Sequence, residues 1–302
     1  MSLPAPIALF VYKRPWHTQQ TVESLKKNLL AAESELFIFS DNAKYPEDQK
    51  RVDEVRKYIR GITGFKKVNI TERDENLGLA ESIIKGVTTI INRYGKIIVL
   101  EDDMLLSEYF LQYMNEALDL YEKEDDVISI HSYIYPVKTK AKLPETFFLK
   151  GADSWGWATW KRGWDLFESD AEKLYNQIKN RKLEYEFDYQ GATNYVKMLK
   201  RQINGKVDSW AIRWYASAFL KNKLTLYPGR SLLNNIGTDR EGTHTQMTED
   251  YETIITDKPV RIEKISVKVN KEAQKAFENF FIRIRPNFLK RYLKFIKHKL
   301  NF

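Results

Sequence analysis

From residue 6 to residue 133 the chain alternates short apolar runs with helical stretches, and this alternation constrains its fold more than any other feature. "PIALFVY" (6–12), "LFIFSDN" (36–42), "KKVNITER" (66–73), "KIIVLE" (96–101) and "VISIHSY" (127–133) read as strands. Helical patterns lie between them at 18–33, 46–62, 79–95 and near 107–122, with Pro46 suited to a first turn and Gly95 to a helix stop. Strands separated by helices cannot pair as simple hairpins. The order therefore predicts an α/β fold with a mainly parallel central sheet covered by helices on both faces. Ligands of such sheets gather at the carboxyl ends of the strands. Arg14, Asp41, Arg73 and Glu101–Asp103 all stand at or just beyond such ends.

The second half is less regular. "FFLKGADSWGWATWKRGWD" (147–165) carries four tryptophans interleaved with glycines and is expected to form a loop. Its tryptophans can build a small core, or can offer indole faces to a sugar; Trp155 and Trp157 are the candidates for the second role. Helices are expected at about 170–181, 189–203 and 208–222, the last with Asp208 as a candidate N-cap, and "LTLYPG" (224–229) as a strand. These patterns suggest a regular half (1–135), a less regular half of the same domain (136–255), and a C-terminal extension (256–302). The stretch 283–302 has no acid, and Phe288, Leu289, Tyr292, Leu293, Ile296 and Leu300 recur at helical spacing among lysines and arginines. An amphipathic helix on an anionic membrane, a helix docked on the domain and an oligomer contact all fit that pattern.

The chain has no cysteine, which excludes disulfides, zinc-thiolate sites and cysteine nucleophiles. Its formal net charge of +8 favours anionic partners. The opening residues lack a signal-peptide pattern and no apolar run approaches the roughly 18 residues of a membrane span, so a cytoplasmic protein, peripheral on the inner membrane face through its basic end, is expected.

The fourth apolar run ends abruptly in Glu101, Asp102 and Asp103. Adjacent like charges repel, and partly buried ones need a cationic neighbour. A divalent metal meets that need, because hard cations prefer carboxylate oxygen. The rival reading is a solvated turn whose acids favour the next helix N-terminus. Neither GxxxxGK[ST] nor GxGxxG follows the first strand, which weighs against a P-loop kinase and a Rossmann dehydrogenase. A nucleotide held here would depend on a metal and on basic side chains for its phosphates.

Taken in order, "VYKRP", "FSDN", "ENLGLAESI", "VLEDDMLLSEYF", the Gly/Trp-rich stretch, "DSWAIRW" and "NIGTDREGTHT" resemble the GT-A glycosyltransferases over residues 5–250. The similarity is greatest to inverting enzymes of the N-acetylglucosaminyltransferase I type, alongside bacterial family 2-like sugar transferases. The resemblance implies metal-dependent transfer of a sugar from a nucleotide sugar, a UDP-sugar, to a hydroxyl of a saccharide or lipid-linked acceptor in surface polysaccharide or lipopolysaccharide synthesis. It implies that Asp103 coordinates Mn²⁺ or Mg²⁺ bridging the donor's phosphates, and that Asp102 and Glu101 reach the ribose and the transferred sugar. Asp41 would bond the base and Arg14 would approach the diphosphate. Asn76 and Gly78 would lie beside the donor, although helix capping by Asn76 explains that stretch equally well. His244 would be a further metal or phosphate ligand.

An inverting transfer needs one general base. Asp208 is the candidate, with Asp153 in reserve. In the enzymes this chain resembles, two acids precede the tryptophan and the nearer one is the base. Here Ser209 holds the nearer place, so Asp208 fits only with a one-residue slip. Two other classes stay open. A nucleotidyltransferase would also use an α/β metal site, but "VYKRPWHTQQ" lacks the glycine-rich loop expected of it. A non-enzymatic nucleic-acid-binding protein would suit the charge, but no motif for it accompanies the basic tail.

Overall fold

A computed structural model describes residues 3–139, 142–237 and 249–285. His244 and the expected amphipathic helix beyond residue 286 lie outside the described residues.

Side-chain alternation along the first apolar run sets the layering. In β1 (Ile7–Val11) the residues Ile7, Leu9 and Val11 enter one core while Ala8 and Phe10 enter another, and all five are buried. A strand buried on both faces must be central. β2 (Glu35–Ser40) and β4 (Lys96–Glu101) flank it in parallel, and β3 (Lys67–Glu72) continues beyond β2. α1 (Pro15–Lys26) and α2 (Gln49–Ile59) cover the Leu9 face with Val22, Leu25, Val55 and Ile59. α3 (Leu79–Tyr94) covers the Phe10 face with Ile83, Val87 and Ile91.

After β4 come the short β5 (Met104–Leu106), then α4 (Phe110–Leu120), β6 (Val127–His131), β7 (Thr146–Lys150) and β8 (Trp157–Trp160). The helices α5 (Lys161–Trp164), α6 (Ala171–Asn180), α7 (Glu184–Phe187), α8 (Tyr195–Ile203) and α9 (Trp210–Leu220) follow. β9 (Leu224–Pro228), β10 (Leu233–Asn235) and α10 (Lys271–Ile284) complete the described elements. The strands form one eight-stranded sheet in the order β3-β2-β1-β4-β8-β6-β9-β7, and β10 pairs with β5 in a second, two-stranded one. β3 to β4 are parallel, as are β6 and β9; β8 and β7 enter antiparallel. The first half thus matches the expected alternation, and both halves of the chain share a single sheet.

Three expectations are corrected. The Gly/Trp-rich stretch is not a loop: it contains β7, β8 and α5, because its apolar residues alternate and pair with β4, β6 and β9. The stretch 189–203 is not one helix; Tyr189, Gln190 and Gly191 all take positive φ, which ends any helix there, and α8 begins at Tyr195. The extension is not merely an appendage up to its basic end. Val260 joins the core under β1, and α10 buries Ala273, Phe277, Phe280 and Phe281 against β7, β9 and α9 residues.

α1 is stitched to the turn after β4 by polar side chains. The Thr21 hydroxyl donates to the Asp102 carbonyl and accepts from the Met104 N–H, both at 2.9 Å, and Thr21 is fully buried. Ser24 Oγ accepts from Leu106 N–H at 3.2 Å, and Asn28 Oδ1 from Leu111 N–H at 2.8 Å. Isosteric Thr21→Val should lower the unfolding free energy in urea by about 1–3 kcal/mol, since it strands buried backbone groups. Thr89→Val, which removes an exposed hydroxyl, should stay within about 0.5 kcal/mol of wild type.

Candidate functional site

The parallel strands deliver their carboxyl ends to one rim, and the acid cluster sits there. β4 ends at Glu101, beside Phe10 of β1. The following turn buries Asp102 and Asp103, which retain only 4% and 8% of their exposure. Arg14, at the junction of β1 and α1, answers them. Its guanidinium donates to Asp102 Oδ1 and, at 2.9 Å, to Asp103 Oδ2. Burial pulls the Arg14 pKa down, but Asp102 and Asp103 outweigh it and hold it above the ordinary value. Burial pushes the Asp103 carboxyl up against the pull of Arg14. Burial, then Asp103 and Asp102, push Glu101 up to about 8.

β10 closes the other side of the cluster. Ile236 N–H donates to the Asp103 carbonyl at 2.9 Å, and Gly237 follows against the carboxylate. A Cβ at Gly237 would stand 2.0 Å from Asp103 Oδ2 and 2.9 Å from Arg14 Nη1, so any side chain there would displace the carboxylate or the guanidinium. Ile236 and Gly237, the second and third residues of "NIGTDREG", therefore lie directly over the acids. His17 is a residue that sequence reading passed over. Buried in the first turn of α1, it lowers the Asp103 pKa electrostatically. Its spacing of three from Arg14, one helical turn, was the available signal.

The acids fit a divalent cation of a particular kind. Asp103 Oδ1 is buried and has no hydrogen-bond partner, leaving one hard oxygen bare. Among the described residues, however, no group of three His, Cys, Asp or Glu side chains converges as a ready-made cage. Mg²⁺-type sites that use one or two carboxylates complete their coordination with water and substrate phosphate oxygens. The donor set here suits a cation that arrives with phosphates.

At the end of β2, Asp41 is buried and its carboxylate accepts three backbone N–H groups: Asn42 at 3.1 Å, Leu77 at 3.0 Å and Gly78 at 2.9 Å. It thereby pins the loop leading into α3. Gly78 occupies the N-cap of α3 with φ +77°, a conformation that favours glycine. Asn76 does not cap that helix; its amide donates to the Asn42 carbonyl at 2.6 Å, tying the same two loops together. Asp41, Asn76 and Gly78 are thus brought together as one structural unit.

In the second half of the chain the tryptophans separate. Trp157 is fully buried, with ring centroids 5.3 Å from Trp210 and 5.6 Å from Trp214, so it is core and not an acceptor platform. Strand alternation in β8 turns it inward onto α9. Trp155, just before the strand, is half-buried and packs edge-on against Tyr133 and Tyr251. Asp153 lies two residues earlier, its Oδ2 accepting from Tyr135 Oη at 3.0 Å and Tyr227 Oη at 3.5 Å. His131 at the end of β6 is fully buried with neither ring nitrogen hydrogen-bonded, and its Nε2 is 3.7 Å from Asp153 Oδ2. Since His131 and Val99 both pair with Trp157, His131 lies two strand spacings, roughly 10 Å, from β4. Ser209, not Asp208, caps α9 by accepting from Ile212 N–H, and the 62% exposed Asp208 carboxylate pairs with Arg213 at 3.1 Å.

No known family model matches the chain, and no curated protein does. Among solved structures, the mannosyltransferase PcManGT from Pyrobaculum calidifontis in complex with GDP-Man and Mn²⁺ aligns at TM-score 0.32 and 12% identity over 44% of this chain and 37% of that one. TarS of S. aureus aligns at TM-score 0.40 and 10% identity over 76% of this chain and 36% of that one. The chain therefore matches little more than a third of the length of either protein. Among the described residues, no helix is long and apolar enough to cross a membrane.

Burial holds the His131 pKa below its ordinary 6.5, against the opposing pull of Asp153; Tyr133 and Tyr227 complete its surroundings. The unfolded chain therefore binds a proton that the folded one resists. Stability should be full above pH 6.5 and decline below it, with a slope of up to roughly 1.4 kcal/mol per pH unit from this group. Urea unfolding of His131→Gln between pH 7 and 5 should show a shallower decline than wild type; an equal slope would mean that other groups carry it.

Proposed function

We infer that the protein is a metal-dependent inverting glycosyltransferase of GT-A type, taking its sugar from a nucleotide sugar, a UDP-sugar, for a saccharide or lipid-linked acceptor. The observation that carries this reading is the buried Asp102–Asp103 pair at the carboxyl end of a central parallel strand, with a bare carboxylate oxygen and an arginine at its side. Mn²⁺ or Mg²⁺ held by Asp103, with His244 as a further candidate ligand, would stabilise the negative charge that gathers on a departing nucleoside diphosphate. Arg14 supplies a second, directional positive charge there. Asp102 and Glu101 face the ribose and sugar, and Glu101 with its raised pKa can donate a hydrogen bond. Asp41 keeps one acceptor lone pair, on Oδ2, for a base while it pins the loop of Asn76 and Gly78. Trp155 walls the acceptor side.

Asp208 is the general base of this reading. Because Ser209 already caps α9, Asp208 has no capping duty, and its exposed pair with Arg213 contributes about 0–1 kcal/mol. Its carboxylate is open to an acceptor hydroxyl, whereas that of Asp153 is engaged by two tyrosines and the Ser154 N–H. Peripheral association with an anionic membrane, in surface polysaccharide or lipopolysaccharide assembly, completes the proposal and rests on the basic C-terminal sequence.

Incubation with Mn²⁺ and a panel of nucleotide sugars should release nucleoside diphosphate slowly from one UDP-sugar. Release from none would remove the transferase reading, and release of pyrophosphate from a nucleoside triphosphate would replace it with nucleotidyl transfer. With a donor in hand, Asp208→Asn should lower transfer by roughly 10²–10⁴-fold at unchanged UDP affinity and melting temperature. Full activity in that variant alongside a loss in Asp153→Asn would move the base to Asp153.

A further inference from the structure

Arg14 and a divalent cation make rival claims on the same oxygens. The guanidinium, 14% exposed, spans Asp102 and Asp103, so its single positive charge is shared between the two acids of the pair. Gly237 closes the opposite side of Asp103 Oδ2 so tightly that not even a methyl group fits. Asp103 Oδ1 is buried without a hydrogen-bond partner, and one carboxylate oxygen is a weak foothold for Mn²⁺ or Mg²⁺. A nucleoside diphosphate changes this balance in two ways. Its phosphates offer Arg14 a bidentate partner of the geometry that guanidinium prefers. The same phosphates supply the oxygens that the acids lack for a complete coordination shell.

We propose that Arg14 is a resident counter-cation that keeps the Asp102–Asp103 pair closed to free divalent metal and releases it only when a nucleoside diphosphate takes the guanidinium. Arg14 is in this sense a positioning residue that couples metal binding to nucleotide binding. The idea rests on the metal-dependent reading of the site and adds an order to it: metal alone binds weakly, nucleotide and metal bind together. Such coupling is reciprocal, so each ligand tightens the other by the same factor.

The test is Mn²⁺ binding to the full chain, followed by the electron paramagnetic resonance signal of free Mn²⁺, with and without UDP. Wild type should bind Mn²⁺ alone weakly and gain roughly tenfold or more with UDP. Arg14→Gln should bind Mn²⁺ alone roughly tenfold more tightly than wild type, and UDP should then add less than about threefold. Arg14→Lys, which keeps the charge on a shorter side chain without the planar fork that grips a diphosphate, should fall between them; it stands in if the glutamine variant fails to fold. Equal or weaker binding of Mn²⁺ alone by the variants, with UDP enhancement intact, would overturn the counter-cation role and leave the metal site standing. No Mn²⁺ binding by any of the proteins, even with UDP, would remove the metal reading and this inference together.

Discussion

Two carboxylates buried side by side at the end of a central strand must be neutralised, and the surroundings of Asp102 and Asp103 follow from that requirement. Desolvation disfavours their charged forms, so the chain places Arg14 against them and His17 close by. A cation held this way requires α1 to begin at a fixed place, which Pro15 and the junction with β1 provide. It also requires the turn after β4 to stay rigid. Thr21 and Ser24 of α1, with Asn28 just beyond its end, hold that turn and its continuation by their hydrogen bonds to the backbone. The polar stripe of α1 is thus as much a part of the site as the acids themselves.

The same rim carries two further units whose construction differs. The Asp41 unit is made of backbone contacts: a buried carboxylate gathers the amides of a loop whose glycine takes a left-handed φ. The other unit is made of rings, with Tyr133, Tyr135, Tyr251 and Trp155 packed edge-on close to Asp153. Rigid loops on one side of the rim and an aromatic wall on the other are what the proposed transfer from a nucleotide to a sugar would use. β8 joins the two sides through the sheet, pairing with β4 on one edge and β6 on the other.

The first half was legible because period-two burial in β1 and helical spacing in α3 are strong local signals, and because parallel strands force their ends onto one rim. The position of Arg14, Asp41 and Glu101–Asp103 at those ends was legible for the same reason. Trp157 and the strands around it were not. Glycines between tryptophans look like a loop until the partners of β8 are known, and those partners are distant in sequence. α10 escaped notice because its apolar face, Ala273, Phe277, Phe280 and Phe281, lies in a region dominated by charge. Asp208 and Ser209 compete for one cap, and only backbone geometry decides which side chain reaches Ile212. The ion pair of Arg14 with the acids joins residues 88 and 89 apart in the chain, beyond the reach of any local pattern.

The central claim is that Asp103 anchors a metal–diphosphate complex. Calorimetric titration of UDP in the presence of Mn²⁺ tests it most directly, comparing wild type with Asp103→Ala after thermal melting has shown that both are folded. The account predicts metal-dependent binding by wild type and its loss in the variant. Equal UDP affinity in the two proteins, with the same dependence on Mn²⁺, would contradict it.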